Sequence, residues 1–328
     1  MELYLESPAN LKIRPVDSLA AAADNQVKLR VAYGGICGSD LSMYGGKTSY
    51  ANYPIRPGHE ALGTIVEAGA NTPYEIGTKV VVFPNTYCGE CEYCAAGKTN
   101  ICIHKEPLGV SCDGVFASEI LVEAKYVVPV PADMPNERAI LIEPFAVTVH
   151  ALKKANIQAG TTVAIMGCGT EGLLAVSIAL YLGARVTVID VNTNKFKIAK
   201  LLGDVNTMIP QEVEDAVFDV VIEAAGVPAA IEQAIKMVKP GGTMIALGIT
   251  GDPVQFVPIH VVRSEISLLG SIIYTKQDFA DAIQYLNNPA FYIELVVSKI
   301  YPLTLYREAF ADALSGNYAK IVIDFRNK

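Results

Sequence analysis

Thr162-Val163-Ala164-Ile165-Met166-Gly167-Cys168-Gly169-Thr170-Glu171-Gly172 is the stretch on which the fold turns. Residues 162–166 form a continuous apolar run that reads as a strand buried on both faces, and 172–182 is an apolar run of helical length. Between them lies G-x-G-x-x-G. In that setting the glycines permit a tight turn, close approach of backbone to a diphosphate and close helix–strand packing, with the helix N-terminus facing the phosphates. Asp190 ends the next apolar run, 185–189, where a carboxylate can accept hydrogen bonds from the hydroxyls of an adenosine ribose. The segment predicts a dinucleotide-binding βαβ unit. Asp190 would repel a 2′-phosphate, and Val191-Asn192-Thr193-Asn194 holds no arginine to bind one, so NAD is expected; Lys195 is the nearby cation that could favour NADP instead.

Outward from this unit, everything after Glu143 alternates strands (218–223, 243–247, 267–269) with helices (195–202, 228–238), the pattern of a parallel sheet. Ahead of it, 27–31, 61–67, 79–83 and 116–130 are short β-like runs cut by glycine and proline. From Gln277 a helix, a strand at 295–300, a helix with Tyr306, Ala309, Phe310 and Ala313 on one face, and a strand at 320–325 are expected to close back on the first half. The fold class is therefore α/β plus mainly β: a doubly wound parallel sheet over 146–272, and a β-rich domain formed by 1–145 with 273–328.

The 328 residues exceed one ordinary core and suit two domains. With 51% hydrophobic and 18% charged residues, disorder, collagen-like repeats and a coiled coil are excluded. The longest strongly apolar charge-free run, 172–184, falls short of the ~18 residues a membrane span needs. Residues 1–6 contain two acids and no base, unlike a secretory or transit peptide, so the cytoplasm is the expected location. A net charge of −8 without a basic patch disfavours nucleic acid and anionic membranes as partners.

Four of the seven cysteines, Cys88, Cys91, Cys94 and Cys102, lie in a C-x2-C-x2-C-x7-C loop within 85–104. Four thiolates close a tetrahedron around Zn²⁺ and leave no open position, which is a structural site; an iron–sulfur cluster or redox-active thiols are the alternatives. A second set is open. Cys37 in Gly34-Gly35-Ile36-Cys37-Gly38-Ser39-Asp40, with His59 and Glu60 after Gly58, would give a metal mixed ligands and a vacant position for water or substrate. Residue 63 is glycine, so this is not H-E-x-x-H. Glu143, an acid in the apolar run before Pro144, either joins that metal or caps a helix start.

Taken together, Gly35-Ile36-Cys37-Gly38-Ser39-Asp40, Gly58-His59-Glu60, the cysteine lobe, Asp113-Gly114-x-Phe116-Ala117, Ile142-Glu143-Pro144, the 167–172 motif and Glu223-Ala224-Ala225-Gly226 resemble the zinc-containing medium-chain dehydrogenases of the alcohol dehydrogenase superfamily, in their sorbitol, threonine and sugar-acid branch. The resemblance spans essentially the whole chain. It implies a GroES-like catalytic domain, a Rossmann domain, two zincs per chain and a homodimer or homotetramer. Carried over by position, Cys37, His59 and either Glu60 or Glu143 hold the catalytic zinc, Ser39 touches the substrate oxygen and Asp40 orients His59. Gly167, Gly169, Thr170, Glu171, Gly172, Asp190, Lys195, Ala225, Gly248 and Ile249 line the cofactor, with Val147, Thr148 and 271–273 near its nicotinamide. The branch's His or Tyr shortly after the zinc cysteine is replaced by Ser42 and Met43, leaving the proton route open. The chain between 202 and 218 is shorter than usual.

The function implied is NAD-dependent oxidation of a secondary alcohol, or reduction of the ketone, in a polyol or an aldonate such as L-galactonate or L-idonate. Threonine-type or simple alcohol oxidation is the nearest alternative. Arg56 and Lys47 could meet a substrate anion. Readings of other kinds are a non-enzymatic zinc protein and a zinc-free quinone-reductase relative using NADPH.

Overall fold

The computed structural model describes residues 1–16, 19–48 and 51–326. Six parallel strands form one sheet in the order Val205–Met208, Arg185–Ile189, Thr162–Met166, Phe218–Glu223, Val238–Ala246, Ser267–Gly270. From Thr162–Met166 the chain builds outward on one side and then crosses to the other. The strand order thus reverses between Thr162–Met166 and Phe218–Glu223, and their carboxyl ends open the crevice where ligands bind in sheets of this kind.

The continuous apolar strands Thr162–Met166, Arg185–Ile189 and Phe218–Glu223 have the bounds read from sequence. Other elements differ. The helix Pro228–Met237 runs directly into the strand Val238–Ala246, which starts earlier than the run at 243 because Lys239, Pro240 and the glycines interrupt its apolar pattern. Val205–Met208 was not anticipated: it is a partly exposed edge strand, with no buried apolar run to mark it. Only the short 3-10 turn Pro210–Glu212 lies between it and Phe218, in keeping with the shortness of this segment.

The second sheet has the order Val297–Pro302, Lys320–Asp324, Gln26–Ile36, Glu60–Ala68, Lys79–Val82, Val127–Pro129, and Glu119–Glu123 also pairs with Gln26–Ile36. The C-terminal strands thus return to the N-terminal sheet, as expected. Ile321 stands opposite Ile36 and Val322 opposite Gly35, so the register brings Lys320 to the turn that carries Cys37. The run 116–130 is broken by the 3-10 turn Ala124–Tyr126 between Glu119–Glu123 and Val127–Pro129. A hairpin of Glu2–Leu5 and Leu11–Arg14 was also unanticipated.

One continuous apolar core joins the two sheets. At the junction Phe83, Tyr274 and Phe279 pack with ring centroids 5.3–5.4 Å apart. Nearby, the helix Ile142–Lys153 is tied to the helix Lys276–Leu286 through Asp278, whose carboxylate accepts from His150 Nδ1 at 2.7 Å, Lys153 Nζ at 2.6 Å and the Thr275 amide at 2.9 Å. Burial opposes the charge, but these donors hold Asp278 well below the usual carboxylate range. A depressed acid stabilises above its unfolded value and loses that contribution as pH falls through its folded value. Asp278→Ala is expected to cost about 3 kcal/mol at neutral pH, combining a lost cap with lost charged hydrogen bonds, and the gap should shrink in acid. Denaturant unfolding at several pH values measures both. Among the described residues no helix is long and apolar enough to cross a membrane.

Candidate active site

In the cysteine lobe, Cys88 Sγ lies 3.6 Å from Cys102 Sγ and 4.0 Å from Cys94 Sγ, and Cys91 Sγ lies 4.0 Å from Cys102 Sγ. A tetrahedron with Zn–S bonds of about 2.3 Å has S···S edges of about 3.8 Å, whereas a disulfide needs about 2.05 Å. The spacing therefore suits four thiolates around one ion. Amide N–H groups of Cys88, Glu90, Cys91 and His104 point at these sulfurs from 3.3–3.5 Å, as thiolates require. The Cys94 amide leads the groups that pull the Cys91 thiol down to about 6. The lobe is also anchored to the junction: Asn100, in the turn before Cys102, donates from Nδ2 to the Ile272 carbonyl at 3.1 Å.

The open set assembles where the helix Gly38–Tyr44 meets the start of the strand Glu60–Ala68. Cys37, His59 and Glu60 each place one ligand atom within 4.8 Å of the others. Asp40 holds the two segments together. Its Oδ2 accepts the Cys37 amide and its Oδ1 the Gly58 amide, both at 2.9 Å, and Oδ1 is 3.9 Å from His59 Nδ1. Burial disfavours the imidazolium, but Asp40 and the Cys37 sulfur more than offset that and raise His59 well above its ordinary value. Gly35 is needed opposite: a Cβ there would lie 1.9 Å from Glu60 Oε2. Glu60 is fully buried, with Oε1 accepting from Lys320 Nζ at 2.5 Å; its Oε2, like His59 Nδ1, has no partner among the described residues. A buried imidazole nitrogen and a carboxylate oxygen left unpaired beside a thiol are a donor set that fits a divalent ion.

Glu143 lies in the first turn of the helix Ile142–Lys153, buried, and accepts from the hydroxyl of the fully buried Tyr274 at 2.6 Å. Burial pushes its carboxyl up to about 7, although His59, Tyr274 and Lys320 pull the other way. Among the described residues it is outside the three-residue ligand group but within that group's electrostatic reach. Ser39 is half-buried in the first turn of Gly38–Tyr44; Met43 is core, and the Tyr44 ring packs on Phe310 at 5.4 Å. Arg56 is committed elsewhere, to Glu2 at 2.8 Å and the Gly114 carbonyl at 2.6 Å, whereas Lys47 is exposed.

The glycine turn sits at the carboxyl end of Thr162–Met166. Gly172 is packed so tightly that a Cβ would lie 1.8 Å from the Gly167 carbonyl, while Gly169, the residue before the helix Thr170–Tyr181, faces open space. Asp190 is tied to the turn, accepting the Cys168 amide at 2.6 Å and the Asn192 amide at 2.7 Å; Lys195 is half-buried nearby. Across the crevice Glu223 accepts the Ala225 and Gly226 amides at 2.8 Å, Gly248 packs against Gly226, and Ile249 is 77% exposed. Glu223 Oε2 and Ser271 Oγ are buried without partners among the described residues, the kind of polar atom a bound cofactor would satisfy. Ile273 adopts φ +56°, strained for a β-branched residue and typical of a site-lining loop.

Sequence reasoning did not find Tyr274 or Lys320. The one available signal for Lys320 was a base opening the apolar run Ile321-Val322-Ile323, since a buried cation in a strand demands a partner.

The alcohol dehydrogenase GroES-like domain model matches residues 23–132, and the zinc-binding dehydrogenase model matches 172–288. The chain is 33% identical over 323 residues to D-arabitol-phosphate dehydrogenase of Enterococcus avium, covering 94% of this chain and 92% of that protein. It is 31% identical to 2-dehydro-3-deoxy-L-galactonate 5-dehydrogenase of Pseudoalteromonas atlantica, with 89% of each covered. A protein from Sinorhizobium meliloti 1021 described as a zinc-binding dehydrogenase, solved bound to NADP, superposes with a TM-score of 0.92 at 29% identity over 98% of each chain. With the four-cysteine lobe, the open Cys37–His59–Glu60 set and the glycine turn in one chain, these likenesses place the protein in the zinc-binding dehydrogenases of the alcohol dehydrogenase superfamily, and it is an alcohol oxidoreductase.

Proposed function

We propose that this chain oxidises a secondary hydroxyl of a polyol or sugar acid with NAD, reversibly, in the crevice between its two sheets. The observation that carries this reading is the Cys37, His59 and Glu60 donor set, whose field Glu171 of the glycine turn shares. A zinc held there would act as a Lewis acid toward the alcohol oxygen. NAD bound along Gly167, Gly169, Thr170, Gly172, Ala225, Gly248 and Ile249, with Asp190 at its ribose, would accept the hydride. The protein supplies the rest. Asp40 fixes the two ligand-bearing segments, Ser39 takes the alcohol proton outward, and Glu143, held by Tyr274, adds a carboxyl that can join the ligand set. A second zinc in the cysteine lobe would stiffen the Asn100 contact to the 271–274 loop.

The proposed division assigns 146–272 to cofactor and the rest, 1–145 with 273–328, to metal and substrate. Asp190 favours NAD by charge, and Arg56, being paired, leaves Lys47 as the proposed cation for a substrate anion. A second copy would pair along Ser267–Gly270, all four residues of which are exposed on the sheet edge, with Leu268 and Leu269 apolar. Seven free cysteines suit a cytoplasmic location.

The test is a panel of polyols, aldonates and amino alcohols assayed by NADH absorbance with NAD and NADP, on protein analysed for metal and for mass in solution. About two zincs per chain, turnover of a polyol or sugar acid, preference for NAD and a dimer or larger oligomer are expected. Metal-free protein with full activity would overturn the central reading.

A further inference from the structure

Glu171 is a half-buried acid in an unexpected place. It is the second residue of the helix Thr170–Tyr181, whose N-terminus in this motif serves a diphosphate, and a carboxylate aimed there would repel the ligand. Its carboxyl turns away instead. Oε2 lies 3.0 Å from Thr148 Oγ1, and Thr148 is fully buried one turn beyond Pro144 on the helix that begins with Ile142 and Glu143. Lys320, Glu143 and Glu60 all act on it electrostatically, so it faces the metal side of the turn. Lys320 does not bond to it, being committed to Glu60 at 2.5 Å and to the Ile36 carbonyl at 3.2 Å. Thr148 has a single hydroxyl proton to share between Glu171 and the Pro144 carbonyl, 3.2 Å away. Among the described residues Glu171 thus has no counter-ion in hydrogen-bond contact, and burial pushes it up to about 8.

A dinucleotide whose ribose meets Asp190 and whose diphosphate lies on the glycine turn must extend its other half toward Cys37, His59 and Glu60, because the hydride moves there. That half passes Glu171. The nicotinamide ring carries one positive charge when oxidised and none when reduced, while the rest of the cofactor is unchanged. We propose that the Glu171 carboxylate is the counter-charge of the oxidised nicotinamide ring and so sets the relative affinity of the site for NAD and NADH. This rests on the cofactor reading above. It makes the glycine turn do two jobs: its backbone receives the diphosphate, and its one acid reads the redox state of the ring.

The experiment measures dissociation constants for NAD by calorimetry and for NADH by its fluorescence, at about pH 9 where the Glu171 carboxyl is ionised, on the zinc-loaded wild type and on Glu171→Gln and Glu171→Val. Both variants remove the charge; only the second also removes the hydrogen bond to Thr148. Both are expected to weaken NAD about tenfold while changing NADH by less than about twofold. Equal changes for the two cofactor forms, or a shift confined to the valine variant, would overturn the charge role and leave the cofactor reading intact. If the wild type binds neither form, the cofactor reading itself fails and this inference with it.

Discussion

Cys37→Ser is expected to lower turnover roughly a thousandfold or more, since a Lewis-acid role contributes several kcal/mol to the barrier. The replacement changes one atom and keeps the hydroxyl neutral where a thiolate would stand. Cys37 Sγ, His59 and Glu60 form the only open group of three metal-ligating residues found among the described residues, so two ligands would remain, too few to hold the ion firmly. Folding should survive. Cys37 precedes a seven-residue helix whose hold on the His59 segment runs through Asp40 and backbone amides, neither of which the substitution alters. The check is initial rate by NADH absorbance beside a denaturant midpoint and zinc analysis. About one zinc per chain, lost activity and a midpoint unshifted when both proteins are compared free of metal fit the assignment. Full activity with two zincs would remove Cys37 from the metal.

Much of this was legible because the decisive elements are local. The strand, glycine turn and helix from Thr162 to Tyr181 are contiguous, and their residue types are dictated by backbone geometry: Gly172 has no room for a side chain against Gly167. The cysteine lobe is equally local, its four cysteines spanning only 88–102. What was not legible depends on sheet assembly. The edge strand Val205–Met208 has no buried face to impose an apolar pattern, and the hairpin Glu2–Leu5 is buried only because the distant Phe116 and Ile55 backbones pair with it. Tyr274 lies 131 residues from the Glu143 it bonds, and Lys320 lies 260 residues from Glu60. Neither pairing has a sequence spacing that chemistry could recognise. Glu171 was read as one more position in a glycine motif; only its turn toward Thr148 gave its carboxyl a separate meaning.

Lys320→Met is expected to destabilise the metal-free protein by about 3–5 kcal/mol, the usual result of removing one partner of a buried ion pair. Lys320 is 1% and Glu60 0% exposed, so no water can replace the lost ammonium. Burial works against the charged lysine, yet Glu60 and Cys37 raise it well above its ordinary value, which makes it a permanent cation in this pocket. Without it, the Glu60 charge is left buried and unpaired. The same physics already acts on its neighbours, since burial lifts Glu143 from 4.5 to about 7 and Glu171 from 4.5 to about 8. For an acid raised in this way the native state holds a proton that the unfolded chain has released, so stability falls as pH rises from the unfolded value through the folded one. Metal-free wild type should therefore weaken between about pH 5 and pH 8, and Lys320→Met should weaken more steeply over the same range. Zinc reverses the order of importance. An ion held by Cys37, His59 and Glu60 gives Glu60 a second positive partner, so the gap between variant and wild type should narrow once metal is restored. Urea unfolding at several pH values, with chelator and then with zinc, reads every part of this. A metal-free variant as stable as wild type would mean that Lys320 does not hold the Glu60 charge, and a gap indifferent to zinc would mean that Glu60 never reaches the ion.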